Sequence, residues 1–80
     1  MTQIEIYLTG HCPYCVMAKQ LLESKGLGYQ VIDVSRDRER RQEMLERSGG
    51  RHTVPQIFIN GESIGGYTEL SRLNAAGQLG

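Results

Sequence analysis

The sequence has no tryptophan, one phenylalanine, two prolines and only two cysteines. Two cysteines cannot build the multi-bridge framework that holds many small secreted folds together. A bridge between residues only three apart closes a tiny loop and restrains little of the unfolded chain. Charge of either sign is not in excess: nine acids balance nine bases. That balance argues against a partner held by bulk electrostatics, whether nucleic acid or an anionic membrane surface. No apolar run approaches the roughly 20 residues needed to span a bilayer. The alternating start, Met1-Thr2-Gln3-Ile4-Glu5-Ile6, lacks the basic and apolar regions of a secretion leader. The expectation is one domain over residues 1–80, monomeric and cytoplasmic, with no nucleic-acid or membrane partner. In a reducing cytosol a Cys-x-x-Cys pair is catalytic or metal-binding rather than structural.

What is present is patterned. Ile4, Ile6 and Leu8 alternate with Glu5 and Tyr7, which predicts a first strand. Pro13 suits the first helical position, where its missing N–H costs nothing. Val16, Met17, Leu21 and Leu22 then form an apolar stripe at helical spacing, and Lys25-Gly26 stops the helix. Tyr29 to Val34 predicts a second strand, parallel to the first across a βαβ crossover. Ser35 can cap a second helix from about Arg36 to Ser48, with Met44 and Leu45 as its main apolar residues. Asp37 with Arg41, and Glu43 with Arg47, stand at i,i+4 spacing, so its arginines read as a solvated face. Gln56 to Ile59 predicts a third strand, Asn60-Gly61 a tight hairpin, and Glu62 to Ile64 the returning strand. A last helix runs from Tyr67 to about Ala75. The order is βαβ, then α, then ββα: an α/β fold with a four-stranded mixed sheet flanked by three helices.

The chemistry concentrates at Cys12-Pro13-Tyr14-Cys15, between a strand and a helix. A helix start carries unpaired N–H groups and partial positive charge, which favour a thiolate. The thiolate, not the thiol, attacks disulfides. Cys12, at the helix start, is the expected nucleophile; Cys15, one turn in, is less exposed and can resolve a mixed disulfide. The plain structural alternative, two small buried residues, leaves the strand–CxxC–helix context unexplained. A zinc site from Cys12, Cys15, His11 and His52 is the chemical alternative. Against it, His11 abuts Cys12, and no second CxxC or HxxxH is present. Thr53-Val54-Pro55 heads the third strand; a cis bond before Pro55 would expose the Val54 backbone to a peptide-like ligand, whereas a trans proline would only start the strand.

Three segments in order and spacing, Cys12 to Cys15, Thr53 to Ile59, and Gly65-Gly66-Tyr67-Thr68-Glu69-Leu70, resemble the dithiol glutaredoxins, of the bacterial CPYC type, within the thioredoxin superfamily. The resemblance spans nearly the whole chain and implies a thioredoxin-like fold. It implies a glutathione-dependent thiol–disulfide oxidoreductase that reduces protein disulfides and glutathione mixed disulfides. Glutathione is then a co-substrate, no cofactor is tightly bound, and the partners are disulfide-containing or glutathionylated proteins. It further implies that Pro55 is cis, that Thr53 and Val54 border the cysteinyl part of glutathione, and that Tyr14 flanks the tripeptide. Gly66, Tyr67 and Thr68 would receive the γ-glutamyl carboxylate, a role that also suits a helix start.

Two departures stand out. Family members often carry a lysine a few residues before the CxxC, where this chain has Thr9; Arg51 is the candidate replacement for that cation. Members often carry two aspartates where this chain has Thr68 and Glu69. Two rival activities follow from the same motifs: a [2Fe–2S] centre shared by two subunits, which Pro13 disfavours by analogy, and a reductase fed by thioredoxin reductase.

Overall fold

A computed structural model of the chain describes residues 2–79. The elements are β1 (Ile4–Leu8), α1 (Pro13–Ser24), β2 (Gln30–Asp33), α2 (Arg38–Arg47), β3 (Gln56–Ile59), β4 (Glu62–Gly65) and α3 (Tyr67–Ala75). The four strands form one sheet in the order β2-β1-β3-β4. β1 and β2 are parallel, with Ile6 opposite Val31; β3 runs antiparallel to β1 and to β4. This is the thioredoxin-like arrangement expected of the βαβ-α-ββα order. Asn60 and Gly61 turn the β3–β4 hairpin with φ of 52° and 81°, the left-handed pair that a two-residue hairpin loop requires.

Alternation along β1 divides the core in two. Ile4, Ile6 and Leu8 face α1 and α3, where they join Cys15, Ala18, Leu22, Ile57 and Leu70. Tyr7 faces the other way, with Ile32, Val34, Phe58 and Met44 of α2. Tyr7, expected at a half-polar position, is therefore fully buried. A parallel pair covered by helices on both faces buries both sides of its strands.

Several local expectations are corrected. The α1 stripe does not include Val16 and Met17, which are exposed; the buried residues are Cys15, Ala18 and Leu22. The cysteine and the small alanine set the true apolar face. α2 starts at Arg38, not Arg36, because Asp37 is the cap: its Oδ1 accepts the Arg40 backbone N–H at 3.0 Å. Ser35 is engaged elsewhere, its Oγ accepting the Gly10 N–H at 3.0 Å. Tyr29 and Val34 lie outside β2. Asp37–Arg41 and Glu43–Arg47 do not pair as spaced. Glu43 bridges to Arg40 at 3.0 Å, and Arg47 reaches across to Glu5 at 2.8 Å. Arg47 is thus half-buried against the sheet rather than part of a solvated face.

Candidate functional site

Cys12 sits where β1 ends and α1 begins. It is the α1 N-cap, with extended φ/ψ of −141° and 103°, and Pro13 follows at the first helical position. The Cys12 Sγ accepts the Cys15 backbone N–H at 3.2 Å, so the sulfur does the work of a capping oxygen. The same thiol lies 3.7 Å from the Val54 carbonyl, to which its S–H donates. Both cysteines are free, Cys12 half-buried and Cys15 only 2 % exposed. Burial, with the hydrogen bond to Cys12, pushes the Cys15 thiol up to about 12. Charging it means bringing an anion out of water into an apolar core. The two thiols are thereby unequal: one on a helix start at the surface, the other kept protonated beneath it.

Val54 connects the thiol to a groove. A cavity of about 250 Å³ is lined by Tyr14, Arg51, Thr53, Val54, Pro55, Gly66, Tyr67, Thr68 and Glu69. It brings together every residue expected to border glutathione. The Val54–Pro55 peptide is cis. The Tyr14 and Tyr67 rings stand 6.1 Å apart, centre to centre, across one end. Gln56, fully buried, holds the Thr53 wall: its Nε2 donates to the Thr53 carbonyl at 2.9 Å and to Oγ1 at 3.1 Å.

The opposite wall is the start of α3. Gly66 is its N-cap and has no side chain to cap with. Glu69 reaches back instead, its Oε1 accepting the Gly66 N–H at 2.8 Å, half of a capping box. That bond, then Arg51, holds the Glu69 carboxyl below the usual carboxylate range. Gly65 adopts φ of +117°, and a Cβ there would lie 2.5 Å from Glu69 Oε1, so the position requires glycine.

Arg51 is not the replacement for the missing lysine at Thr9. It lies at the α3 end of the groove, with Nη2 3.3 Å from Glu69 Oε1. The cations beside Thr9 are others. A wider crevice of about 710 Å³ is lined by Thr9, Gly10, His11, Asp33, Ser35, Arg36, Asp37 and Arg41. It opens between the ends of β1 and β2, whose following helices leave on opposite faces, the usual place for a ligand crevice in such sheets. Among the described residues, neither Arg36 nor Arg41 pairs with a carboxylate. His11 and His52 are exposed. No group of three or more His, Cys, Asp or Glu side chains is placed to hold a metal among the described residues, so the zinc quartet does not assemble. No helix of those residues is long and apolar enough to cross a membrane.

Sequence reasoning found the three motif segments and missed Gln56, Glu69, Arg36 and Arg41 as parts of the site. The signal for Glu69 was available, since a helix start followed three residues later by Glu is a capping pattern.

Residues 4–64 match the family model described as Glutaredoxin. The chain is 48% identical to Glutaredoxin 3 of Escherichia coli K12 over 79 residues, covering 99% of this chain and 94% of that protein. The solution structure of a glutaredoxin from Brucella melitensis superposes with a TM-score of 0.84 at 47% identity, covering 99% of this chain and 85% of that one. The crystal structure of a buckwheat glutaredoxin–glutathione complex gives 0.86 at 27% identity, covering 98% and 73%.

Proposed function

The chain belongs to the glutaredoxin family, and from that premise we propose how its residues carry out glutathione-dependent thiol–disulfide exchange. The carrying observation is the Cys12 sulfur, seated on the α1 start and 3.7 Å from the Val54 carbonyl that walls the groove. Cys12 as thiolate attacks the glutathione sulfur of a mixed disulfide. The S–S bond breaks, the substrate leaves as a thiol after taking up a proton, and glutathione stays bonded to Cys12. A second glutathione thiolate attacks that glutathionyl sulfur, releasing oxidised glutathione and the Cys12 thiolate. Cys15 is not needed in this cycle.

A protein disulfide requires it. Cys12 attacks one sulfur and the other leaves as a thiol. Cys15 must then lose its proton and attack Cys12 Sγ, releasing the protein and closing the Cys12–Cys15 disulfide, which two glutathiones reduce. Cys15 is held protonated partly by its hydrogen bond with Cys12. That restraint ends when Cys12 becomes a disulfide sulfur, so the resolving thiol is released for attack only after it is required.

The groove gives glutathione a direction. Thr53, Val54 and Pro55 border its cysteinyl part, Tyr14 flanks it, and Gly66, Tyr67 and Thr68 meet its γ-glutamyl end. The glycyl carboxylate then points toward the Thr9 crevice, where Arg36 and Arg41 supply the positive charge. The protein acts as a cytoplasmic monomer on disulfide-containing and glutathionylated proteins.

The test is glutathione-coupled reduction of a small glutathione mixed disulfide. Wild type turns it over, Cys12→Ser is inactive, and Cys15→Ser keeps most of the rate. Equal loss in both variants would sink the one-thiol half of the cycle.

A further inference from the structure

Three arginines form ion pairs among the described residues: Arg40 with Glu43, Arg47 with Glu5, and Arg51 with Glu69. The last differs in kind. It stands on the wall of the groove, it joins residues 18 apart, and its contact is a single Nη2–Oε1 approach of 3.3 Å. A guanidinium has five N–H donors, and this one, its side chain 45% exposed, commits one of them. Beside it the first turn of α3 adds more. The first helical bond runs from the Leu70 N–H to the Gly66 carbonyl at 3.1 Å, which leaves the Tyr67 and Thr68 N–H groups outside the ladder. Glu69 binds Gly66 and Arg51 through Oε1 alone, so Oε2 has no partner. Free donors and one free carboxylate oxygen therefore share one end of the groove. An anion suits the donors, and a cation attached to it suits Oε2. The matching chemistry is the zwitterion of an α-amino-acid terminus.

We propose that Arg51, steadied by Glu69, is a specificity-determining residue that takes the α-carboxylate of a γ-glutamyl group, with Glu69 Oε2 beside its ammonium. The proposal rests on glutathione occupying the groove. It adds a side-chain reader to a helix start that by itself accepts any anion. It also accounts for Thr68 and Glu69 in place of two aspartates: with Glu69 tied to Arg51, the pair meets both charges of the ligand. An arginine fork suits this role because it can hold Glu69 and a second carboxylate together.

The experiment is single-turnover release of 2-mercaptoethanol from two mixed disulfides by the reduced protein. One carries glutathione. The other carries γ-aminobutyryl-cysteinylglycine, which is glutathione without its α-carboxylate. Wild type reacts about tenfold faster with the first, the size of one charge-assisted hydrogen bond to a half-exposed group. Arg51→Gln loses that preference by slowing on glutathione alone, so the two losses do not add. Arg51→Lys regains part of it. Equal slowing on both disulfides would reduce Arg51 to a strut between the groove walls and overturn the proposal, as would an intact preference in Arg51→Gln. Wild type that treats glutathionyl and bis-hydroxyethyl disulfides alike would overturn the glutathione reading itself, and the proposal with it.

Discussion

On the α1–α3 face the sheet lies under aliphatic side chains and one thiol: Ile6, Leu8, Ala18, Leu22, Ile57, Leu70 and Cys15 are at most 5% exposed. On the α2 face it lies under a guanidinium. α2 buries one residue completely, Met44, and makes up the deficit with charge. Arg47 Nη2 meets Glu5 Oε1 at 2.8 Å, and its Nη1 donates to the Tyr7 hydroxyl at 2.7 Å. Its guanidinium carbon stands 4.2 Å from the centre of the Phe58 ring. The Tyr7 hydroxyl in turn donates to Glu43. Both faces start from the same two central strands, yet one excludes water by hydrocarbon and the other satisfies every polar group it covers. The first arrangement fixes Cys15 in a dry, rigid layer. The second lets an arginine-rich helix dock where its composition alone would leave it in solvent.

The largest test removes the ring the clamp rests on. Phe58→Ala takes away Tyr7's edge-on partner, 5.4 Å away at 75°, together with Arg47's platform. Its expected cost is about 3–5 kcal/mol in urea denaturation. The folded fraction should still alkylate at Cys12 at the wild-type rate, because no element of the thiol site rests on that ring. A parallel fall in Cys12 reactivity would mean the faces are not separable.

The two faces also differ in how much of them the sequence made legible. β1, the Asn60-Gly61 hairpin and the extent of α3 follow from local pattern, and each stands as expected. The three site segments were equally legible, since each is contiguous and holds its neighbours by backbone geometry. The α2 face was not. Two cap residues, Ser35 and Asp37, competed for one helix start, and the winner depended on Ser35 being drawn off by Gly10, 25 residues away. Arg47 could pair locally with Glu43 or across the sheet with Glu5, 42 residues away; spacing favours the first, and the aromatic platform beneath decides for the second. Arg51 was misplaced for the same reason, its partner Glu69 being set by the approach of α3 to the loop before β3. On α1, spacing drew Val16 and Met17 into the stripe, while the smaller Cys15 and Ala18 were the residues facing in.

A smaller effect sharpens the contrast. Arg47→Ala should lower stability by about 1–3 kcal/mol, because Glu5 and the Tyr7 hydroxyl lose a charged partner in a half-buried setting. Arg47→Lys should recover little, since a point charge cannot reach both oxygens and lie flat on a ring. Arg47→Met separates the causes. A methionine as stable as the arginine would make the clamp a matter of covering Phe58, and the hydrogen bonds would then contribute nothing net. An alanine variant within about 0.5 kcal/mol of wild type would remove the clamp from the explanation altogether.

The smallest effect lies on the apolar face, at its one titratable side chain. The Cys15 thiol has an ordinary value of 9.0 and is pushed up to about 12, first by burial and then by its hydrogen bond with Cys12. Below pH 9 both folded and unfolded chains keep the proton, so Cys15 adds no pH dependence to stability. Above it the unfolded thiol ionises while the folded one does not, and stability falls with rising pH until the folded thiol ionises too. Reduced wild type should therefore lose stability relative to Cys15→Ser between pH 9.0 and about 12, with parallel curves below that window. Taking the difference removes the tyrosines and lysines, which titrate in both proteins. Curves that stay parallel to the top of the window would show that water reaches Cys15, and the apolar face would then be no drier than the charged one.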